Sequence, residues 1–192
     1  MNKKIIKTIY KNHEKTDINN IFYIKDAKKF VGGSGNFNAQ IIFIGEAPGA
    51  DEEEITGEPF CGRSGKLLRF YLNKYNFNNN NSFVTNVVKF RPPNNRKPTT
   101  KEINIHGKIL KTELEIIKPK IIVPIGTTAT EFILESRIKM SNTKGQIIIK
   151  NNILIFPLFH PAYILRNKNL ILDFENDIKE LEQIAIKEKI RL

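Results

Sequence analysis

Four short and mainly apolar segments decide most of what this chain can fold into. The segments run from Ala39 to Ile44, from Ser82 to Val88, from Lys120 to Ile125 and from Ile153 to Phe159. Near-continuous hydrophobicity, rather than alternation, is typical of strands that are buried on both faces, as in parallel sheets. The chain must therefore supply helices that cover both faces of such a sheet.

Helical patterns separate these strands along the chain. Two of them begin with Thr99-x-x-Glu102 and Thr128-x-x-Glu131, which match the capping box that starts a helix. Three further helices are predicted at about Lys3 to Lys15, Gly65 to Tyr75 and Leu170 to Lys187. Strands that alternate with helices favour right-handed crossover connections. We therefore predict the α/β class, as a three-layer α/β/α sandwich around a central, four-stranded, mostly parallel sheet.

The length of 192 residues is usual for one domain, so we expect a single domain over residues 1–192. Residues 1–38 form a basic N-terminal segment that is expected to pack on this domain or to flank it. Within that segment, the glycine-rich stretch from Val31 to Asn36 is interpreted as turns. Hydrophobic residues make up 40% of the chain, which excludes wholesale disorder.

The charge balance favours a polyanionic partner. The chain has 31 Lys and Arg against 20 Asp and Glu, a net charge of +11, which suits nucleic acid. Isoleucine, lysine and asparagine are abundant throughout, as expected for an AT-rich genome, so part of the lysine excess reflects codon usage. Charge alone does not distinguish DNA from an anionic membrane surface.

Neither a membrane span nor a metal-binding cysteine set is expected. No apolar segment approaches the ~18–20 residues that cross a bilayer, and Lys7 interrupts the pair Ile5-Ile6 too early for a signal peptide. We expect a soluble intracellular protein, in the cytoplasm, or in the nucleus or a viral factory of a eukaryote or virus. One cysteine, Cys61, and three histidines exclude an internal disulfide and a zinc site of the usual cysteine and histidine types.

Polar and aromatic side chains follow the predicted strands, where ligands bind in open α/β sheets. Glu46 comes directly after the first strand, Asn86 lies within the second and His160 follows the fourth. Phe60 stands between glycines and a proline, ahead of a predicted helix. Each has an ordinary structural explanation: a turn for Glu46, core packing for Phe60 and a structural hydrogen bond for Asn86.

Taken together, these residues belong to four motifs whose order and content resemble the family 4 uracil-DNA glycosylases. The resemblance extends over residues 39–167. It implies the fold of that family and monofunctional hydrolysis of the N-glycosidic bond of uracil in DNA, by base flipping, in base excision repair. The motifs are Gly45-Glu46-Ala47-Pro48-Gly49, Gly57-x-Pro59-Phe60-x-Gly62-Arg63-x-Gly65, Asn86-x-x-Lys89-x-Arg91-Pro92-Pro93-x-Asn95-Arg96-x-Pro98 and His160-Pro161-Ala162-Tyr163-x-Leu165-Arg166.

The resemblance also implies roles for individual residues. Glu46 would place the attacking water or face the positive sugar, and His160 would donate a hydrogen bond to the uracil oxygen that gathers charge. Uracil binding would fall to Ala47, to Phe60 by stacking and to Asn86 by reading the base edge. The implied DNA contacts are Ser64, Lys66, Arg91, Arg96, Thr127, Leu165 and Arg166. Leu165 and Arg166 would fill the space in the base stack that the flipped nucleotide leaves. Ser64 and Thr128 serve equally well as ordinary helix N-caps.

One departure from the family concerns its iron–sulfur cluster. The family carries four cysteines that hold the cluster, whereas this chain has Phe90 and His106 at two of their places and no cysteine in its first sixty residues. Because a [4Fe–4S] cluster needs four ligands, we expect no cluster and no other cofactor or metal. Phe90 is expected to fill part of the space, and His106 to be a satisfied interior or boundary histidine.

Two other functions remain open. A DNA-binding or replication-accessory module with the same fold would lack catalysis; the missing cluster ligands favour it, and the joint retention of Glu46, Phe60, Asn86 and His160 speaks against it. A glycosylase for another damaged or modified base is the third reading. The expected partner is uracil-containing DNA and the expected state a monomer, while the acidic run Asp51 to Glu54 is expected to face solvent or bend away from DNA.

Overall fold

The four predicted strands lie side by side in one sheet. The computed structural model describes residues 1–19 and 28–192. The strands are β1 (Ser34–Gly35), β2 (Ile41–Gly45), β3 (Ser82–Asn86), β4 (Ile121–Pro124), β5 (Ile148–Lys150) and β6 (Ile153–Ile155), arranged in the order β1-β3-β2-β4-β6-β5. The central four are parallel, as predicted.

Two short antiparallel strands extend this sheet at its edges, so the predicted count of four strands is too low. β1 pairs with β3, and its two residues are too few to show a strand period, so the sequence of this stretch indicates only turns. β5 pairs with β6 through a tight hairpin at Asn151 and Asn152, both with positive φ. Consecutive asparagines suit such a turn, and this signal could have identified the hairpin.

Seven α-helices cover the sheet in the described part of the chain. They are α1 (Asn2–Asn19), α2 (Arg63–Lys74), α3 (Thr100–Ile117), α4 (Thr127–Leu134), α5 (Met140–Thr143), α6 (Pro161–Arg166) and α7 (Ile171–Lys187). The predicted basic helix thus forms within α1, and residues 20–27 of the N-terminal segment lie outside the described residues. No helix in the described ranges is long and apolar enough to cross a membrane.

Alternate residues of the central strands face two separate cores. Ile41 and Phe43 pack with apolar residues of α2, α6 and α7, whereas Ile42 and Ile44 pack with those of α1, α3 and α4. Successive side chains of a strand point to opposite faces, so the two cores lie on the two sides of the sheet. This arrangement confirms the predicted α/β/α sandwich.

The capping signals are only partly confirmed. Thr99 caps α3 and forms the full capping box with Glu102. The second capping box is wrong, because α4 begins after Gly126, whose φ of 83° favours glycine. Thr128 therefore lies inside the first turn, where its hydroxyl is available to another partner. Ser64 is not a cap either, since Gly62 is the N-cap of α2.

Phe90 and His106, which stand at two places where the resemblance puts cluster cysteines, pack against each other in the interior. The ring of Phe90 lies 5.5 Å from those of both Phe30 and His106, edge to face. His106 is 2% exposed, which confirms an interior position. Its Nδ1 has no hydrogen-bond partner among the described residues, so at this atom the expectation of a satisfied histidine is not met. Burial, aided by the nearby charge of Lys89, lowers the pKa of His106 to about 4.

Replacing His106 with leucine is expected to stabilise the fold, and more at pH 5 than at pH 7. Removing an unpaired buried polar atom is worth about 1 kcal/mol or more in the free energy of unfolding. Below pH 6.5 the unfolded histidine binds a proton that the folded one, with a pKa of about 4, does not. The wild type therefore loses about 2 kcal/mol between pH 7 and pH 5 that the variant retains.

Urea unfolding of His106→Leu and wild type at the two pH values checks this expectation. The other histidines are the same in both proteins, so their effects cancel in the difference. An equal stability difference at pH 5 and pH 7 would show that His106 does not titrate as its burial requires.

Candidate active site

The carboxyl ends of the parallel strands border one cleft of about 870 Å³. Ten of the twelve predicted site residues line it: Glu46, Ala47, Phe60, Ser64, Asn86, Arg96, Thr127, His160, Leu165 and Arg166. The remaining two, Lys66 and Arg91, lie outside the lining. These side chains come from distant parts of the sequence, and the sheet brings them together.

Glu46 is held at the end of β2 by both its backbone and its side chain. The N–H groups of Val87 and Val88 donate to the carbonyls of Gly45 and Glu46, at 2.9 and 3.0 Å. The hydroxyl of Thr128 donates a hydrogen bond to Oε2 of Glu46. Oε1 has no hydrogen-bond partner among the described residues. The sequence pattern around Thr128 indicates a helix cap, whereas its hydroxyl in fact contacts this carboxylate.

Asn86 ends β3 directly beside Gly45, with which it is in register. Its side chain lines the cleft although the residue is only 3% exposed. A Cβ at position 45 would overlap both the Asn86 amide oxygen and the Phe60 ring. Gly45 therefore permits the amide and the aromatic ring to approach the same point of β2.

Phe60 has a left-handed backbone conformation, with φ of 59°. This conformation costs a bulky residue about 1–3 kcal/mol unless its surroundings impose it. The Glu52 carboxylate accepts hydrogen bonds from the N–H of Phe60 (2.6 Å) and of Gly49 (2.8 Å). Arg69 donates to the carbonyls of Phe60 (2.9 Å) and Pro59 (2.8 Å). Glu52 and Arg69 thus fix the turn that presents the phenylalanine, a role that sequence reasoning missed.

The acidic run does not lie wholly in solvent, contrary to expectation. Glu52 and Glu53 are 8% and 4% exposed, and burial raises the pKa of Glu52 against the opposing backbone hydrogen bonds. Arg91 forms ion pairs with Glu53 (3.6 Å) and Glu54 (3.3 Å). The carboxylates of this run therefore serve as internal acceptors and as partners for the Arg91 charge.

His160 is the N-cap of α6, and Pro161 occupies the first helical position as predicted. Its Nδ1 accepts a hydrogen bond from the N–H of Ala162, at 3.2 Å. Burial, with a contribution from the Arg166 charge, lowers the pKa of His160 to about 4. At neutral pH the ring is uncharged, and since Nδ1 accepts, its single proton is on Nε2.

The predicted DNA-contact residues differ in their surroundings. Ser64 and Thr127 lie in the first turns of α2 and α4, where free backbone N–H groups favour anions. Arg96 forms a two-point ion pair with Glu102, at 2.6 and 2.8 Å. Leu165 and Arg166 end α6, five and six residues after His160. Lys66 is exposed on α2.

Comparison with known proteins identifies the family. A profile of the Uracil DNA glycosylase superfamily matches residues 33–183. The chain belongs to this superfamily. The match includes every motif on which the resemblance was based, and superfamily membership also confirms the predicted fold class.

Several curated relatives carry the name Type-4 uracil-DNA glycosylase. The protein of Archaeoglobus fulgidus is 36% identical over 173 residues, which cover 86% of each chain. The protein of Thermotoga maritima is 41% identical and covers 72% of this chain and 73% of its own. That of Sulfurisphaera tokodaii is 38% identical and covers 83% and 76%, respectively. These similarities confirm the resemblance to the type-4 branch of the superfamily.

Proposed function

We propose that this chain is a uracil-DNA glycosylase, which hydrolyses the N-glycosidic bond of uracil in DNA during base excision repair. The observation that carries the proposal is the convergence of Glu46, Phe60, Asn86 and His160 on one cleft. The names of the type-4 relatives give the same activity. A scaffold without catalysis would have no need of these four groups together.

Stabilisation of the departing base falls to His160. As the bond between sugar and base breaks, negative charge gathers on a uracil carbonyl oxygen. The Nε2–H of the neutral imidazole donates to that oxygen, and because Nδ1 is held by Ala162 the ring keeps its orientation. A well-placed donor of this kind contributes about 3–4 kcal/mol in comparable oxyanion sites.

Stabilisation of the sugar falls to Glu46. The sugar gains positive charge as the base leaves, and the Glu46 carboxylate opposes that charge and orients the attacking water. Thr128 fixes one carboxylate oxygen, so the other is available for the water. The negative charge on the base and the positive charge on the sugar are thus each stabilised by a side chain that is in position before the bond breaks.

Base recognition falls to Phe60, Asn86 and Ala47. The flipped uracil stacks on the Phe60 ring, and the Asn86 amide pairs its donor and acceptor with the Watson–Crick edge of the base. Cytosine presents an amino group where uracil presents a carbonyl, so the same amide rejects it. Ala47, beside Glu46, borders the base.

DNA binding follows the rim of the cleft. Ser64, Thr127 and Arg96 contact phosphates, and Lys66 contacts the strand further along α2. Leu165 and Arg166 enter the space that the flipped nucleotide leaves. Arg91 remains a proposed DNA contact together with Arg96, since both arginines are paired with acidic side chains, Arg91 with Glu53 and Glu54 and Arg96 with Glu102. We further propose one domain acting as a monomer inside the cell, with the basic N-terminal segment packed on it.

The residues present do not fit the cluster that the type-4 resemblance implies. One cysteine, Cys61, occurs in the chain, on the loop beside Phe60. The places of two cluster ligands hold Phe90 and His106, which are buried against each other. Within residues 1–19 and 28–192 no group of three or more histidine, cysteine or acidic side chains is arranged to hold a metal ion. No step of the mechanism passes through a cluster.

The purified chain is accordingly expected to be colourless and free of iron and acid-labile sulfide. The measurement uses untagged protein prepared without oxygen, since exposure to air can destroy a cluster after purification. A cysteine-containing type-4 relative, purified in parallel, is the positive control. Stoichiometric iron and sulfide in this chain would contradict the expectation.

The test of function is excision from an oligonucleotide with one labelled uracil, single-stranded and paired, followed by alkaline cleavage of the abasic product. Wild type is expected to excise uracil and to leave cytosine and thymine. Asn86→Asp is expected to excise uracil about tenfold or more slowly and to discriminate less against cytosine, because one amide donor is lost. Binding without any excision by wild type would favour the DNA-binding module, and excision of hypoxanthine or xanthine alone would favour another base.

A further inference from the structure

A buried ion pair lies directly behind Asn86. The Lys89 and Glu113 side chains are 0% and 2% exposed, and Lys89 Nζ lies 2.8 Å from Glu113 Oε2. Lys89 follows β3, and Glu113 belongs to α3. Moving two charges out of water costs free energy that their attraction regains only with good geometry and further hydrogen bonds. The proposed mechanism uses neither residue, so the pair calls for an explanation.

Each proton of the Lys89 ammonium has an acceptor. Besides Glu113, these acceptors are the Thr85 hydroxyl oxygen (2.5 Å) and the backbone carbonyl of Asn86 (2.8 Å). Glu113 accepts in turn from the hydroxyls of Thr85 (3.0 Å) and Tyr10. The network joins α1, β3 and α3, and its one contact with a proposed base-binding residue is the carbonyl of Asn86.

That contact is made at the point where β3 stops. Beyond Asn86 the chain leaves the strand, although Val87 and Val88 still donate to the carbonyls of Gly45 and Glu46. The peptide after Asn86 is thus held from one side by β2 and from the other by Lys89. Rotation of this peptide would move the Asn86 side chain relative to Gly45 and the Phe60 ring.

We propose that Lys89 and Glu113 are positioning residues for base recognition, because they fix the backbone carbonyl of Asn86 and with it the amide that reads the base. The proposal rests on the proposed function, since it concerns the same cleft. Uncharged side chains of similar volume would fill the space without the cost of burying charge. They could not donate to the Asn86 carbonyl, and this bond distinguishes positioning from plain packing.

The test compares wild type with Lys89→Met/Glu113→Gln, which removes both charges at nearly constant volume. Lys89→Met alone would leave Glu113 charged and buried, and it could fail to fold. The matched control is Lys74→Met/Glu175→Gln, which removes an ion pair of 2.5 Å between α2 and α7. Urea unfolding of all three proteins measures their stability.

Binding is measured with a strand that contains one 2′-fluorinated deoxyuridine, whose glycosidic bond resists hydrolysis because fluorine destabilises positive charge on the sugar. The same strand with fluorinated deoxycytidine, or with an abasic analogue, gives the comparison. The double variant is expected to lose about fivefold or more of its preference for uracil over cytosine. Its affinity for the abasic strand and all properties of the control variant are expected to stay within about twofold of wild type.

Two results would overturn the proposal. One is an unchanged uracil preference in a double variant that is folded. The other is an equal loss of affinity for the uracil and abasic strands, which would assign the pair a structural role only. These binding comparisons need no excision. Failure of wild type to excise uracil would count against the proposed function, whereas an unchanged double variant would count against the positioning role.

Discussion

Replacing Glu46 with glutamine is expected to slow uracil excision by about a hundredfold to ten-thousandfold, the usual contribution of a carboxylate that acts on water or on a developing cation. The amide keeps the size of the side chain and can still accept from Thr128, so the fold and the affinity for DNA should change little. What disappears is the negative charge opposite the sugar.

Single-turnover excision and binding to an abasic strand check this expectation separately. Glu58→Gln is the control, since it changes an exposed carboxylate of the same loop region, two residues before Phe60. A Glu46→Gln rate within about threefold of wild type would remove Glu46 from the mechanism. A parallel loss of DNA affinity would assign it to binding instead.

Replacing His160 with alanine is expected to slow excision by about a hundredfold to a thousandfold, as when one donor is removed from an oxyanion site. The wild-type rate should also show no titration of His160 near pH 6.5. Its pKa is about 4, so the ring is already neutral at pH 5.5 and remains so at pH 8. The rate should fall only as the pH approaches 4, where a proton on Nδ1 breaks the hydrogen bond from Ala162.

Single-turnover rates between pH 4 and pH 8 test this expectation, with His13→Ala as the control because His13 lies on α1, outside the cleft. A rate that changes with a pKa near 6.5 in wild type and not in His160→Ala would show that the ring titrates in the working range. His160 would then not act as an uncharged hydrogen-bond donor throughout the working pH range.

The parts of the fold that could be predicted are those in which burial governs sequence. Strands β2, β3, β4 and β6 contribute to cores on both faces of the sheet, so apolar residues predominate in and around them and the strands were recognisable. β1 and β5 lie at the edges of the sheet, and with two and three residues they are too short to show the hydrophobic pattern of a strand. Strand ends also located Glu46, Asn86 and His160, because a parallel sheet places its carboxyl ends together.

Charged residues with internal roles were the ones that sequence reasoning did not find. Glu52 belongs to a run of four acidic residues, a pattern that indicates solvent exposure, yet its carboxylate holds the Phe60 turn. Lys89 is one of many lysines, and nothing in the sequence shows that it is fully buried. Such roles depend on which backbone groups lack a partner in the folded chain, and that information is three-dimensional.

The packing of Phe30, Phe90 and His106 has a consequence for how this protein can be handled. The rings of Phe30, Phe90 and His106 pack on one another, and on the proposal that no cluster is bound this part of the interior is completed by side chains alone. Recovery of the native state from denaturant should therefore require dilution alone, in air as well as under nitrogen. The single cysteine, Cys61, offers no intramolecular partner for a wrong disulfide. The same proposal predicts that the yield of folded protein does not depend on the iron supply of the host cell.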